Sequence, residues 1–275
     1  MFQESNLAYA SPSYALPKAF FDWKPKILFE IKQGRYLIKT AETREEFLAT
    51  IQLRTDVFLK EFAAKEIDEL DIDDIDKEAD FLIVKDTLSG EVLASYRLIC
   101  SKFSQTFYSQ SEFSLKNFLS SPGHKLELSR ACIRADKRTS GIFLHLLWKG
   151  LTKYIQMSEA SHLFGCSSVQ TLRLPEIVSV YHALRQMDAL SQDFAVKPLA
   201  GFRMVDIKGL LKLSPALIES ETEVDLPPLL MGYIKAGAKV HGEPAYDHDF
   251  KCLDLFTILD CDKEPTPFMK RYLEG

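Results

Sequence analysis

The stretch from Lys125 to Trp148, KLELSRACIRADKRTSGIFLHLLW, constrains the fold more than any other part of the chain. Its first part, Leu126–Ile133, is a β-compatible run that contains neither Gly nor Pro. A basic turn follows, and after Gly141 apolar residues recur every three or four positions, as they do on one face of a helix. The segment therefore predicts a strand, a basic turn and a helix.

The start of this predicted helix has the composition of an anion site. Arg138 precedes the small residues Ser140 and Gly141, and Ile142 opens the helix. The first backbone N–H groups of a helix have no partner within the helix, and the helix dipole favours negative charge there. Glu127 lies upstream on the predicted strand, so the segment combines a carboxylate with a candidate phosphate site.

Composition excludes several classes of protein. The 275 residues carry a net charge of −5, which gives a nucleic-acid partner no electrostatic support. Five cysteines without a C-x-x-C spacing indicate a reducing compartment rather than a disulfide framework. We expect no secretory signal, and no apolar run reaches transmembrane length, so we expect a cytoplasmic protein. A peripheral contact with the inner membrane stays open.

The remaining periodicities predict one mixed α/β (α+β) domain, in which helices flank a central sheet. Strands are expected at 35–40, 81–86, 91–99, 162–169 and 253–259, and helices after the Thr43 capping box, Pro175 and Pro227. We assign this domain to residues 35–262, between an N-terminal extension, 1–34, and a C-terminal tail, 263–275. The aromatic-rich extension either packs on the core or lies at a membrane surface.

Two motifs carry a resemblance to a known family. The sequence Arg138-Thr-Ser-Gly141 resembles the acyl-donor signature of the GNAT N-acyltransferases, although Phe143 stands where that family prefers a small residue. The preceding ELSRACI, Glu127–Ile133, is similar to the ELSR motif of acyl-homoserine lactone synthases and related amino-acid N-acyltransferases. The resemblance implies a GNAT fold, with Arg138, Ser140, Gly141 and Ile142 binding the acyl donor.

The C-terminal region narrows the resemblance. LPPLLMGYIKAGAKVHGEPAYDHDFKCLDLF, residues 226–256, is similar to the signature of bacterial ornithine-lipid N-acyltransferases. Such enzymes transfer a 3-hydroxyacyl chain from acyl carrier protein to the α-amine of ornithine. The resemblance implies an N-acyl amino acid product such as lyso-ornithine lipid. It implies no metal or redox cofactor, only acyl carrier protein or acyl-CoA as co-substrate.

The resemblance also suggests roles for individual residues. Glu127 is the candidate general base, acting directly or through a water, and its alternative role is a structural ion pair with an arginine. A regular strand would place the second candidate catalytic residue, Arg130, on the opposite face from Glu127. Either a bulge redirects Arg130, or it organises other carboxylates.

Three further residues are expected in the substrate-binding region. The enzymes that the chain resembles place equivalents of Arg54, Arg97 and Arg130 in a network with acidic residues, and we expect Asp76 to be the acid that pairs with them here. We expect most carboxylates of the surrounding segment EIDELDIDDIDKEAD, residues 66–80, to lie in a solvated acidic loop, and the alternative is a pocket for a cationic amine. Structural and functional interpretations of the network both remain open.

Other candidates have simpler interpretations. Tyr181 is a candidate general acid, but its helical spacing also fits a core tyrosine. The pairs His162/Cys166 and His248/Cys252 have the residue types of metal ligands but no second close pair, so we expect no metal site. Four basic residues form a candidate docking surface for acyl carrier protein: Arg134, Lys137, Lys149 and Lys153.

Two alternative functions remain. One is an enzyme similar to acyl-homoserine lactone synthases, which act on S-adenosylmethionine. The other, from a different class, is a non-catalytic acyl-binding or membrane-surface protein that keeps the fold. The sequence does not establish which amino acid is acylated or which acyl chain is used.

Overall fold

A ten-stranded mixed sheet forms the centre of the protein in the computed structural model, which describes residues 17–62, 69–204, 209 and 225–273. The strands are β1 Glu30–Gln33, β2 Tyr36–Thr40, β3 Asp80–Asp86, β4 Val92–Cys100, β5 Phe113–Ser114, β6 His124–Ile133, β7 Ala160–Val169, β8 Leu190–Ser191, β9 Lys197–Pro198, β10 Lys239–His241, β11 Ala245–Asp247 and β12 Cys252–Asp260. The sheet order is β1-β2-β3-β4-β6-β7-β12-β10-β8, with β11 paired to β12, whereas β5 and β9 pair with each other in a separate sheet. β6 and β7 are parallel, and their other long neighbours are antiparallel.

Helices cover both faces of this sheet. They are α1 Arg44–Arg54, α2 Lys116–Leu119, α3 Ile142–Ser158, α4 Leu174–Gln186, α5 Pro228–Ala236 and α6 Pro267–Leu273, and a π-helical segment, Thr55–Phe62, continues α1. β3 shows why two helical layers are needed. Leu82 and Val84 pack in the cluster that includes α3, and Phe81 and Ile83 pack in the cluster that includes α1. A strand that is apolar on both sides is stable only when both sides are covered.

The predicted strand, basic turn and helix are confirmed. β6 ends at Ile133, a 3₁₀ turn spans Ala135–Ser140, and α3 begins directly after Gly141. Gly141 has φ of 65°, a left-handed conformation that is costly for residues with a β-carbon. The glycine therefore permits the sharp change from strand to helix.

The predicted start of α1 is also confirmed. The Thr43 hydroxyl accepts a hydrogen bond of 3.2 Å from the N–H of Glu46. The Glu46 carboxylate accepts the N–H of Glu42 at 3.0 Å, so that two N–H groups near the helix start are satisfied.

Segments at the two ends of the chain pack on the domain. Phe20 and Ile27 are buried, and the indole N–H of Trp23 donates to the carbonyl of Ala79 at 2.9 Å. The edge strand β1 pairs with β2, and α6 packs against α3 and α5. The spacing of apolar residues does not predict β1, β10, β11 or α6, because elements of three to seven residues are too short to show a helical or strand period.

The parallel pairing of β6 with β7 stops halfway. It extends from His124↔Ala160 to Glu127↔Phe164 and then ends, although both strands continue. Gly165 lies at the point of divergence, where a β-carbon would collide with the carbonyl oxygen of Leu128. A glycine there allows the two backbones to approach before they separate.

Replacing this glycine tests the geometry of the divergence. We expect Gly165→Ala to lower the free energy of unfolding by about 1–3 kcal/mol, because the backbone of Leu128 must move. Chemical denaturation of both variants checks this. Gly201→Ala is the control, since a β-carbon there meets no atom within 4 Å. Equal stability of the two variants would contradict the close approach.

Candidate active site

Two adjoining cavities occupy the gap between β6 and β7. The larger has a volume of about 460 Å³ and the smaller about 50 Å³. They share lining residues from both strands and from α5: Ser129, Arg130, Ala131, Cys166 and Leu229. The smaller cavity lies among apolar side chains of the α3 cluster, such as Leu128, Leu163 and Leu259. The larger cavity is lined by the aromatic side chains of Phe58 and Tyr108 and by the carboxylates of Asp247 and Asp254. The divergence of the strands thus connects an apolar space with a more polar one.

A β-bulge in β6 decides which way Arg130 points. Arg97 is paired with Ser129 and Ser95 with Cys132, so one residue of β4 opposes two residues of β6. Arg130 has φ of 52°, which is unusual for a residue with a long side chain. The extra residue shifts the alternation, and this places the Arg130 side chain on the same face as Glu127. Both possibilities that the sequence left open are therefore present, because the bulge redirects Arg130 and Arg130 also pairs with another carboxylate, Asp71.

The expected arginine network exists, with more acidic members than predicted. Asp76 accepts hydrogen bonds from Arg54 at 2.7 Å and from Arg97 at 3.0 Å. Asp71 accepts from Arg54 at 3.1 Å and from Arg130 at 3.2 Å. The side chains of Arg54, Arg97 and Asp76 are completely buried. Desolvation raises the pKa of Asp76, but the neighbouring guanidinium charges outweigh it and hold that pKa below its usual range.

Asp73 is the other acidic residue that the sequence analysis missed. It accepts hydrogen bonds from Arg97 at 2.8 and 2.9 Å and caps the 3₁₀ turn Asp74–Lys77. The D-I-D-D-I-D repeat is the signal that could have identified Asp71 and Asp73, because it places further acids beside Asp76.

The expectation of a solvated acidic loop is wrong for several residues of the segment 66–80. Asp71 and Asp76 pair with buried arginines, and Asp80 accepts the backbone N–H groups of Lys26 and Ile27. These charges are compensated within the protein, so they leave little capacity for a cationic substrate. Asp74 is exposed as expected, and residues 66–68 lie outside the described part of the chain.

Glu127 is buried and is held by the backbone of another segment. Its two oxygens accept the N–H groups of Tyr108 and Ser109, each at 2.7 Å. Burial raises the pKa of Glu127, while hydrogen bonds from Ser109 and Tyr108 and the charge of Arg97 oppose that rise. The Cys166 thiol lies 3.5 Å from the Ser109 hydroxyl. Since Glu127 lines neither cavity and Cys166 lines both, Ser109 and Cys166 connect the carboxylate to the cavities.

The candidate donor-binding residues lie beyond the end of β6, outside the lining of both cavities. The guanidinium of Arg138 donates to Glu61 at 2.6 and 3.2 Å and to the carbonyl of Ile133 at 2.8 Å. Ser140, Gly141 and Ile142 are exposed at the start of α3. The structure thus brings Arg130 to the cavities but leaves these four residues at the surface nearby.

A second acidic cluster lies at the larger cavity, and the sequence analysis did not identify it. Asp247 and Asp254 line that cavity, and the negative charges of both raise the pKa of the buried Glu112. Burial is the largest cause of this shift, which takes the pKa of Glu112 to about 9. The three acids come from distant parts of the sequence, so no local pattern reveals them.

The same region contains a set of ligand atoms that a metal would require. Among the residues that the structure describes, Asp247, Cys252 and Asp254 place their ligand atoms within 4.8 Å of one another. Burial raises the pKa of the Cys252 thiol, which disfavours the thiolate that binds metals. His162 and His248, which belong to the two pairs with the residue types of metal ligands, are not part of this group.

Tyr181 lies in the apolar cluster with α4, outside the lining of both cavities. Burial raises its pKa, and its hydroxyl has no hydrogen-bond partner in the part of the chain that the structure describes. Both observations agree with the core interpretation rather than with a general acid.

In the described part of the chain, no helix has the length and apolar character needed to cross a membrane.

Comparison with known protein families identifies a domain within the chain. Residues 53–149 match the family model of the acetyltransferase (GNAT) domain. The fold is the GNAT fold, and the chain is an acyltransferase.

A more particular relationship extends over most of the chain. It is 26% identical to L-ornithine N(alpha)-acyltransferase of Brucella abortus, over 87% of this chain and 89% of the relative. It is 29% identical to L-ornithine N(alpha)-acyltransferase of Rhizobium meliloti, over 85% and 83%. FeeM, an N-acyl amino acid synthase from uncultured soil microbes, aligns with a TM-score of 0.44 at 9% identity, covering 86% of this chain and 98% of FeeM. The chain is thus a distant homologue of the L-ornithine N(alpha)-acyltransferases.

The buried network predicts a large loss of stability on removal of its shared acid. Asp76→Asn leaves Arg54 and Arg97 without their common carboxylate, so we expect the free energy of unfolding to fall by about 3–5 kcal/mol. Chemical denaturation measures this. Asp74→Asn is the matched control, because that carboxylate is exposed and is expected to cost less than about 0.5 kcal/mol. Similar losses in both variants would contradict a central role for Asp76.

The raised pKa of Glu112 predicts a pH-dependent stability. Between the ordinary carboxyl pKa of 4.5 and the folded value of about 9, the unfolded chain releases a proton that the folded protein retains. This group therefore lowers stability as pH rises, by at most about 1.4 kcal/mol per pH unit. We expect Glu112→Gln to gain stability relative to the wild type between pH 5 and pH 8. Thermal or chemical unfolding at both values tests this, and a constant difference would contradict it.

Proposed function

We propose that this protein transfers a long acyl chain from acyl carrier protein to the α-amine of ornithine, forming an N-acyl amino acid such as lyso-ornithine lipid. The observation that carries the proposal is the similarity to ornithine N(alpha)-acyltransferases over 87% of the chain. That similarity extends well beyond the residues 53–149 that match the GNAT domain.

The two cavities support this reaction because they offer different environments on either side of the diverging strands. The apolar smaller cavity receives the thioester end of the acyl chain, and the larger cavity receives the amino acid. Their shared residues lie where the two substrates meet. Where the β6–β7 pairing ends, the two facing strand edges have room for the donor between them.

Arg130 binds the carboxylate of the amino acid in this proposal. It lines both cavities, and its guanidinium lies over the rings of Tyr108 and Phe58 and pairs with Asp71. A planar guanidinium presents several donors to a carboxylate. Arg54, Arg97 and Asp76, which were expected to bind substrate, line neither cavity; we assign them the role of holding Asp71 and the adjoining loop in position.

Glu127 accepts the proton that the α-ammonium must lose before it can attack the thioester. Because Glu127 lines neither cavity, the transfer is indirect, through a water at the edge formed by Ser109 and Cys166. A carboxylate whose pKa is raised by burial is a better base near neutral pH than an ordinary one. The reaction forms the amide bond, breaks the C–S bond and returns a proton to the leaving thiolate.

A first experiment incubates the purified protein with an acyl-loaded carrier protein and ornithine and analyses the products by mass spectrometry. We expect an N-acyl ornithine with the wild type. We expect Glu127→Gln to lower kcat by about 10²–10⁴-fold with little change in KM for ornithine, because proton transfer rather than binding is impaired. Equal turnover of the two proteins would remove Glu127 as the base. Acyl binding without any product would favour the non-catalytic alternative.

The basic residues on α3 and in the turn before it predict a docking surface for the acidic carrier protein. Lys153 is exposed on α3, and Lys137 lies in the preceding turn, where it pairs with Asp136 at 3.0 Å. We expect Lys137→Glu/Lys153→Glu to raise KM for the acyl carrier protein at least about 10-fold, with little effect on kcat. Steady-state kinetics with Lys32→Glu as control test this, since Lys32 lies on the edge strand β1. An unchanged KM would refute docking at this surface.

A further inference from the structure

The acidic cluster at the larger cavity is isolated from positive charge. Glu112, Asp247 and Asp254 expose only 2%, 6% and 3% of their surface. Within the ranges that the structure describes, none of the three forms an ion pair with Lys, Arg or His. Asp254 accepts hydrogen bonds from the Ser168 hydroxyl, at 2.5 Å, and from the Cys252 thiol, at 3.8 Å, and it also forms a hydrogen bond with the Glu112 carboxyl.

The other two acids of the cluster are Asp247 and Glu112. Asp247 accepts the backbone N–H groups of Asp249 and Phe250, at 2.7 and 2.9 Å. Oε2 of Glu112 is fully buried and has no hydrogen-bond partner among the described residues. An unpartnered buried carboxyl oxygen is costly, and it gains most from a donor that also carries positive charge. The cluster therefore lacks a compensating cation, and no described side chain supplies one.

The position of the cluster connects it to the reaction. Asp247 and Asp254 line the same cavity as Ser129, Arg130 and Cys166, which lie at the junction of the two cavities, whereas Glu112 lies outside that lining and interacts with the cavity through Asp254. An amino acid whose carboxylate contacts Arg130 can therefore extend its side chain along this cavity towards the acids. A compact ammonium with three N–H donors matches three convergent carboxyl groups.

We propose that Glu112, Asp247 and Asp254 form the pocket that binds the side-chain ammonium of the amino-acid acceptor and so select a cationic amino acid. This inference rests on the proposed function, and it gives a structural reason for ornithine rather than a neutral acceptor. A site built to hydrogen-bond a polar group rejects the analogue that lacks it, because its buried polar atoms are then left unpaired. The pocket thus acts in specificity and not in proton transfer from the α-amine.

A metal ion is the competing occupant, and the residues favour it less. The group Asp247, Cys252 and Asp254 contains no imidazole, and its thiol is held in the protonated form by burial. Glu112, whose oxygen lacks a partner, does not belong to that group. An ammonium uses Glu112 as well as the two aspartates.

The test compares ornithine with norvaline, which has the same carbon chain without the terminal ammonium. We expect the wild type to prefer ornithine by at least about 100-fold in kcat/KM. Asp254→Asn and Glu112→Gln are expected to reduce that ratio at least about 10-fold, through a higher KM for ornithine and an unchanged or improved kcat/KM for norvaline. Asp74→Asn is the control, because it removes an exposed carboxylate elsewhere. A ratio that stays at the wild-type value in both variants overturns the inference.

Binding measurements keep the inference testable apart from turnover. We expect ornithine, but not norvaline, to raise the melting temperature of the wild type and to have a smaller effect on both variants, whose own melting curves report folding. A wild type that acylates ornithine and norvaline equally well overturns the pocket but keeps the acyltransferase. A wild type that acylates neither overturns the proposed function and the pocket together. Stabilisation by Zn²⁺ that competes with ornithine would assign the cluster to a metal instead.

Discussion

The geometry of the site depends on the left-handed conformation of Arg130 in the middle of a buried strand. A positive φ costs a residue with a β-carbon about 1–2 kcal/mol, and the neighbouring contacts must compensate this cost. The bulge has two consequences. It places Arg130 and Glu127 on the same side of the sheet, and it interrupts β6 close to the position where its pairing with β7 ends. One extra residue thus orients an arginine beside the gap in which the cavities lie.

The compensation comes from the charges around Arg130. Its guanidinium pairs with Asp71 and lies over the Tyr108 ring, and Asp71 is shared with the buried Arg54. Tyr108 also donates its backbone N–H to Glu127. The arginine network and the candidate base are therefore held by the same short segment, so that a change in one alters the position of the other. This is the physical reason why buried ion pairs occur here, since ion pairs of this kind contribute orientation more than net stability.

The sequence predicted those parts of the fold and site that local patterns encode. β6, the turn at Gly141 and α3 follow from a β-compatible run, a basic turn and the helical spacing after the glycine, and α1 follows from its cap. The arginine network was expected from resemblance, with Asp76 correctly included. The position of Arg130 could not be decided, because a bulge depends on the register with β4, which one strand alone does not contain.

The acidic cluster was missed for a related reason. Glu112 precedes β5, Asp247 ends β11 and Asp254 lies on β12, and they meet only when the sheet is assembled. The sequence directed attention to the dense run of acids at 66–80 instead, where charge is conspicuous but largely compensated. Counting acids along a chain measures how many carboxylates are present, whereas binding depends on how many lack a partner after folding.

The two acidic groups of this protein show that difference directly. Asp71, Asp73 and Asp76 face three arginines, and desolvation of the buried charges is balanced by opposite charge within the fold. Glu112, Asp247 and Asp254 face hydroxyl, thiol and amide groups, so their repulsion persists and one carboxyl retains its proton well above its ordinary pKa. The charges of the first arrangement are compensated within the folded chain. Those of the second are compensated only when a cation enters, and an uncompensated charge that lines a cavity is what a substrate pocket for an amine requires.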